Sequence, residues 1–218
     1  MKVLIIGGGG VIGQKLGRAL AARGSLRGKP ISRMVLADVV SPDPIDGPFP
    51  ILTTHCDIAD VDSVAATLDP DEDVIFLLAA IVSAHAEADL DIGLNVNMMG
   101  TLNVLQRARA LGTKPVVVFT SSIAAFGGDV PQPLTDYSVL NPQTSYGAQK
   151  VIGELLLTDF SRRGLIDGRG FRLPTISVRP GKANKAASSF MSSIFREPLQ
   201  GETANCPVDP DFYHYYLS

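Results

Sequence analysis

The chain has 218 residues, 45% of them hydrophobic and 19% charged, which is enough apolar material for one core and hardly for two. Nineteen basic against 22 acidic side chains give a formal charge of −3, with no Lys/Arg run, so neither a nucleic acid nor an anionic membrane is an expected partner. Cys56 and Cys206 lie far apart with no Cys-x-x-Cys pair, and the longest apolar stretch is half a membrane span; the composition therefore predicts no disulfide scaffold, no leader peptide and no transmembrane helix, in a reduced cytoplasmic setting.

Val3–Ile6 is a short, fully apolar, β-branched run ended by glycine, the pattern of a strand buried on both faces. Val11, Ile12, Leu16, Ala19 and Leu20 then recur at helical spacing up to an Arg23-Gly24 stop. The alternation continues. Strands are predicted near Met34–Ala37, Ile51–Thr53, Val74–Leu78, Val116–Thr120 and Thr175–Val178, and helices near Val61–Leu68, Leu90–Leu111, Tyr146–Arg163 and Ala186–Phe195. Four prolines in Ser41–Pro50 mark an exposed loop. Strands alternating with helices predict a doubly wound α/β fold with a parallel sheet.

Between the first strand and helix, Gly7, Gly10 and Gly13 stand at spacing G-x-x-G-x-x-G. Glycine there lets the backbone approach a pyrophosphate, and the N-terminus of the helix, at Val11 and Ile12, meets its charge. Asp38 closes the second strand 25 residues beyond Gly13, where a carboxylate accepts hydrogen bonds from an adenosine ribose and repels a 2′-phosphate. The combination predicts NAD rather than NADP. Asp57, followed by Ile58, stands after the third strand, either to meet the adenine or to cap the next helix.

Tyr146 and Lys150 are four residues apart in a helical pattern and share one face. With a free pKa of about 10, only about one tyrosine in a thousand is ionised at pH 7, so a useful base needs a shift of roughly 4 kcal/mol. One positive charge at about 4 Å and an effective dielectric near 20 supplies that much, and an oxidised nicotinamide brings a second. Ser121 and Ser122 end the fifth strand, at the carboxyl edge where open α/β sheets bind ligands, and Ser122 is placed to hold a substrate hydroxyl beside Tyr146. His55, His85 and His214 show no ligand spacing, so no metal site is expected.

These motifs, with Leu78-Ala79-Ala80, Asn97-x-x-Gly100-Thr101 and Arg179-Pro180, resemble the extended short-chain dehydrogenases/reductases from Met1 to about Phe195. The resemblance implies that Tyr146 is the base, Lys150 its electrostatic partner and a ribose ligand, Ser122 the hydroxyl holder and Asn97 a structural support. It also implies that Leu78, Ala79 and Ala80 line the cofactor site and that the subunits form a homodimer through the two long helices. Arg172–Lys182 followed by Asn184–Phe190 is most similar to members that oxidise a four-carbon sugar acid, which points to Asn184 and Ser188 as further substrate contacts; Ser83, five residues past Leu78, is similar to a serine that small-substrate members use beside the substrate, or is an ordinary loop serine. Lys182, Lys185 and Arg196 are either carboxylate ligands or solvated surface charges.

Ile123-Ala124 stands where the dehydratases of this family place an Asp-Glu pair, so dehydration is disfavoured. Members usually continue for about another hundred residues of substrate domain. The expectation is therefore a cofactor-binding domain over 1–180 and the start of a truncated substrate region over 181–218, with the last sheet strand and most of the lid missing. Three readings follow: a sugar-acid dehydrogenase, a nucleotide-sugar epimerase using the same pair, and an NAD-binding module without turnover.

Overall fold

The computed structural model describes residues 1–130, 133–179, 181 and 187–217. β1 (Lys2–Ile6), β2 (Arg33–Asp38), β3 (Ile51–His55), β4 (Val74–Leu77), β5 (Val116–Ser122) and β6 (Asp167–Leu173) form a parallel sheet in the order β3-β2-β1-β4-β5-β6. The doubly wound prediction holds. Successive residues of β1 point to opposite faces, and all four apolar ones are fully buried: Val3 and Ile5 in one core, Leu4 and Ile6 in the other. Burying each such side chain contributes roughly 1.5–3 kcal/mol, which is why this strand sits at the centre.

Helix α1 (Val11–Arg23) covers the Val3/Ile5 face and ends at Gly24 in the left-handed region, as the Arg23-Gly24 stop predicts. The other face is covered by α2 (Val61–Thr67), by α6 (Ser145–Arg162), and by a continuous helical run made of α4 (Leu90–Gly93), a π-helical segment (Leu94–Gly100) and α5 (Thr101–Ala110). The single helix predicted over Leu90–Leu111 is thus interrupted by a π-helical stretch, a feature frequent at functional sites. A short helix, α3 (Ser83–Ala88), was not anticipated.

The strand predicted at Thr175–Val178 is present only at Thr175–Ile176, and it does not belong to the main sheet. The sixth sheet strand is β6, paired with β5 from Val116↔Asp167 to Ser122↔Leu173. Its glycines concealed it: a Cβ at Gly168 would lie 3.0 Å from Cγ of Leu157, so the absence of a side chain there helps α6 pack close over this strand. Thr175–Ile176 (β7) instead pairs in parallel with Tyr216–Leu217 (β8), tying the C-terminal end to the strap that follows β6. The helix predicted over Ala186–Phe195 is a 3₁₀ turn at Ala187–Ser189 running into α7 (Phe190–Arg196); Ala186 lies outside the described residues.

Candidate active site

At the switch point between β1 and β4 the connections leave in opposite directions and open a crevice at the carboxyl ends of the strands. It holds a cleft of about 680 Å³. The glycine turn forms one wall. Gly7 has φ +93, and a Cβ on it would lie 2.6 Å from the Ala79 nitrogen; a Cβ on Gly13 would lie 2.1 Å from the Gly7 oxygen. Gly10 caps α1, and a Cβ there would meet only the Gly7 oxygen, at 3.4 Å, so this position faces open space. The first amide to bond back into the helix is that of Gln14, leaving the Val11, Ile12 and Gly13 amides directed out of the N-terminus at the cleft. These residues fit a dinucleotide: a backbone cradle that a side chain would fill, with amides and helix dipole aimed where a pyrophosphate would lie.

Asp38 does not line the cleft. One of its oxygens accepts from the Gly9 amide at 2.9 Å and the other from Val40 at 3.3 Å, so the carboxylate fastens the tip of the glycine turn with lone pairs to spare. Asp57 closes an Asx turn, accepting from Ala59 at 2.9 Å. Asp60, rather than Asp57, caps α2. Ile58 is 3% exposed and packs in the core beneath Gly100, so its side chain faces away from the cleft.

The opposite wall belongs to β5, α6 and the strap after β6. Thr144 caps α6 by accepting from the Gly147 amide, and a Cβ on Gly147 would lie 2.2 Å from the Ala124 oxygen. Glycine there lets the start of α6 press against Ile123–Ala125, which brings Tyr146 beside Ser122. One turn on, the Lys150 ammonium donates to the Thr120 carbonyl at 2.8 Å, 4.9 Å from the centre of the Phe119 ring and 5.6 Å from that of Tyr146. Gly153 makes room for Phe119 beneath it.

Burial raises the Tyr146 pKa, while the neighbouring Ser122 hydroxyl and the Arg179 charge pull it back down. Burial also lowers Lys150 to about 8. Burial thus acts against ionisation of the Tyr146 phenol, and the Ser122 hydroxyl and the Arg179 charge act for it.

The cleft brings together Gly7, Gly10, Val11, Ile12, Gly13, Leu78, Ala80, Ser83, Ser122, Tyr146, Lys150 and Ser188. Ala79 is not in its lining, although its amide donates to the Ile6 carbonyl at 3.1 Å beside the turn. Asn97 is buried behind the cleft: it accepts from the Ile81 amide and donates to the Ile81 carbonyl and to Gln149, holding the loop before Ser83. Asn184, Lys182 and Lys185 lie outside the described residues. Arg196 is neither a surface charge nor a cleft residue; it is 9% exposed, pairs with Glu197 and donates to the Arg179 carbonyl. Thr175 and His214, whose side chains meet at 2.9 Å, also line the cleft. Nothing local in the sequence marks that pair, because β7 and β8 bring it together across 39 positions.

A second hollow of about 780 Å³ lies between α6 and β6, where Glu154 grips Arg172 with both oxygens; among the described residues its lining contains no Tyr, Ser–Lys or glycine-turn machinery.

A model of the NAD dependent epimerase/dehydratase family matches residues 3–210. The chain is 50% identical to D-erythronate dehydrogenase of Cupriavidus necator, covering 100% of this chain and 68% of that one, and 44% identical to the protein of that name from Haemophilus influenzae, covering 97% and 66%. It superposes with a TM-score of 0.94 and 46% identity on the crystal structure of the nucleoside-diphosphate-sugar epimerase from Agrobacterium tumefaciens, covering all of this chain and 65% of that one. The chain thus spans about two thirds of these relatives' length. A family match along nearly its whole extent, joined to this glycine turn and this Tyr–Lys helix, places the chain in the NAD dependent epimerase/dehydratase family, among the extended short-chain dehydrogenases/reductases.

Proposed function

We propose that this chain carries the cofactor-binding and catalytic part of a dehydrogenase that uses NAD to oxidise a hydroxyl of a small sugar acid, with D-erythronate as the leading substrate. The observation that carries the reading is the convergence of Tyr146, Ser122 and the buried Lys150 on the cleft that the glycine turn opens. Ser122 orients the substrate hydroxyl, and Tyr146 takes its proton. Lys150 is tied down by Thr120, holds the face of α6 toward the cleft and is placed to grip a ribose. Bound oxidised NAD supplies the hydride acceptor and a positive ring charge, which offsets the burial that raises Tyr146. Gly7, Gly10, Val11, Ile12 and Gly13 cradle its pyrophosphate, Leu78 and Ala80 flank it, and Asp38 takes the ribose diol in preference to a 2′-phosphate.

Two features support a hydroxy acid. Both relatives named above as dehydrogenases are D-erythronate dehydrogenases, and among the described residues that line the cleft there is no Asp or Glu. Ile123 and Ala124 line it where a dehydratase would need its acid/base pair. Ser83 and Ser188 complete the polar wall on the substrate side. A homodimer through α6 and the Leu90–Ala110 run belongs to the same reading; Leu155, Leu90 and Met99 expose apolar surface on those helices. So does a reduced, cytoplasmic setting, supported by two free cysteines and by the absence, among the described residues, of a helix long and apolar enough to cross a membrane.

A second reading, a nucleotide-sugar epimerase, is favoured by the name of the Agrobacterium structure. Incubation with NAD and D-erythronate while following reduced-cofactor absorbance separates the two. Net reduction supports the dehydrogenase. Conversion of a UDP-sugar with no net reduction supports the epimerase, and NAD binding without either reaction leaves a binding module.

A further inference from the structure

The described lining of the cleft carries two cationic side chains, Lys150 and Arg179, and no carboxylate. Lys150 is committed to the Thr120 carbonyl at 2.8 Å. Arg179 uses Nε on the Ile176 carbonyl at 3.2 Å, and the ion pairs among the described residues do not include it.

Its backbone is braced with unusual care for a residue on an irregular strap. The Arg179 amide donates to the hydroxyl of Ser192, which is 2% exposed, and its carbonyl accepts from the buried Arg196 at 2.9 Å. Two residues earlier, the buried Ser177 hydroxyl donates to the Met191 carbonyl at 2.9 Å. Arg196 is itself neutralised by Glu197, so a whole face of α7 serves to fix the strap on either side of Arg179. A buried arginine and two buried serines are expensive to satisfy, and here each is satisfied by holding this one segment. The outcome is an arginine whose backbone is fixed on the cleft wall and whose side chain is steered by the Nε bond to the Ile176 carbonyl. The guanidinium fork matches the two oxygens of a carboxylate, and little side-chain freedom is left to lose on binding. Its field reaches the reacting phenol, since Arg179 is one of the groups that pull the Tyr146 pKa down. A cation in a cleft whose described lining holds no carboxylate calls for an anionic ligand.

Taking the oxidoreductase reading for the identity of that carbon, we propose that Arg179 anchors the substrate's carboxylate, so that the cleft selects acids with the carboxylate close to the oxidised hydroxyl over their neutral counterparts.

The test is calorimetric. The 218-residue chain is saturated with NADH, so that no turnover occurs, and titrated with D-erythronate and with its neutral amide, as wild type, Arg179→Gln and Arg179→Lys. Losing one partner of a desolvated, hydrogen-bonded charge pair weakens binding about 30-fold or more. Wild type should therefore prefer acid over amide by about that factor, Arg179→Gln should bind both alike, and Arg179→Lys should keep part of the preference because it keeps the charge and loses the fork. NADH affinity is read in every variant as the measure of an intact fold, and Arg179→Lys carries the comparison if Arg179→Gln does not fold. Equal binding of acid and amide by wild type, no binding of either, or an acid preference that survives in Arg179→Gln overturns the anchor. Acid binding that depends on Arg179 but yields no reduced cofactor when NAD replaces NADH leaves the anchor standing and sinks the dehydrogenase reading. Undiminished turnover of the acid by Arg179→Gln does the reverse.

Discussion

The two walls of the cleft are built by opposite means. The cofactor wall is made almost wholly of backbone from one contiguous stretch, Gly7 to Gln14, fastened by one carboxylate from the next strand. The substrate wall is made of side chains from β5, α6, the strap after β6 and the end of the chain, each held by a different neighbour. A backbone site cannot be altered without disturbing the fold, whereas a side-chain site can be emptied while the fold stays. Substitutions on the two walls should therefore separate cleanly in what they damage.

The largest effect is on the substrate wall. Tyr146→Phe removes only an oxygen, and turnover should fall about 1,000-fold, within the usual worth of a positioned base, with thermal midpoint and NAD affinity retained. A variant that lost both together would break the contrast. Next comes Gly13→Ala. The added methyl would lie 2.1 Å from the Gly7 oxygen, so the turn must move; stability should drop by about 1–3 kcal/mol, as for other overpacked sites, and NAD affinity should fall with it. Calorimetry on one sample reads both.

Lys150→Met should move activity and stability in opposite directions. A lysine held near 8 when folded and near 10.5 when unfolded binds fewer protons in the native state between those values, so the native chain gains stability as pH rises through that window and bears the full burial penalty below it. Methionine removes the penalty. At pH 7 the variant should be more stable by roughly 2–3 kcal/mol, with the advantage shrinking from about pH 8 upward and activity lost throughout. A denaturation series across pH gives the slope; parallel curves for the two proteins would count against a charged, buried Lys150. The smallest effect is that of Asp38→Asn, which keeps one acceptor for the Gly9 and Val40 amides but loses the charge. NAD affinity should fall by a factor of about 10, the scale of a single charge-assisted hydrogen bond, while NADP affinity rises or holds.

The same division governed how much could be read from the sequence. The glycine turn, its strand and helix and the Tyr146–Lys150 pair were legible because each is a local pattern whose spacing is set by one element. β6 was not: Gly168 lies tight against Leu157 of α6, a packing need between elements that leaves no hydrophobic alternation behind. The π-helical turn that sets Asn97 facing Ile81 has no compositional mark, and neither does the Thr175–His214 contact. Arg179 stood in a motif that matched the family, yet its bracing by Ser192 and Arg196 appears only once α7 is folded against the strap. Spacing along a helix gave the proximity of Tyr146 and Lys150 but not their burial, which is the largest influence on the pKa of both groups.

The chemistry proposed for the cleft is tested most directly by following the hydride itself. D-erythronate carrying deuterium at its carbinol carbons is incubated with the chain and NAD, and both products are weighed by mass spectrometry. Deuterium should appear on the nicotinamide in step with the keto acid, and Tyr146→Phe should suppress both. Deuterium that stays in, or returns to, the sugar acid while the cofactor pool remains oxidised would contradict net hydride transfer.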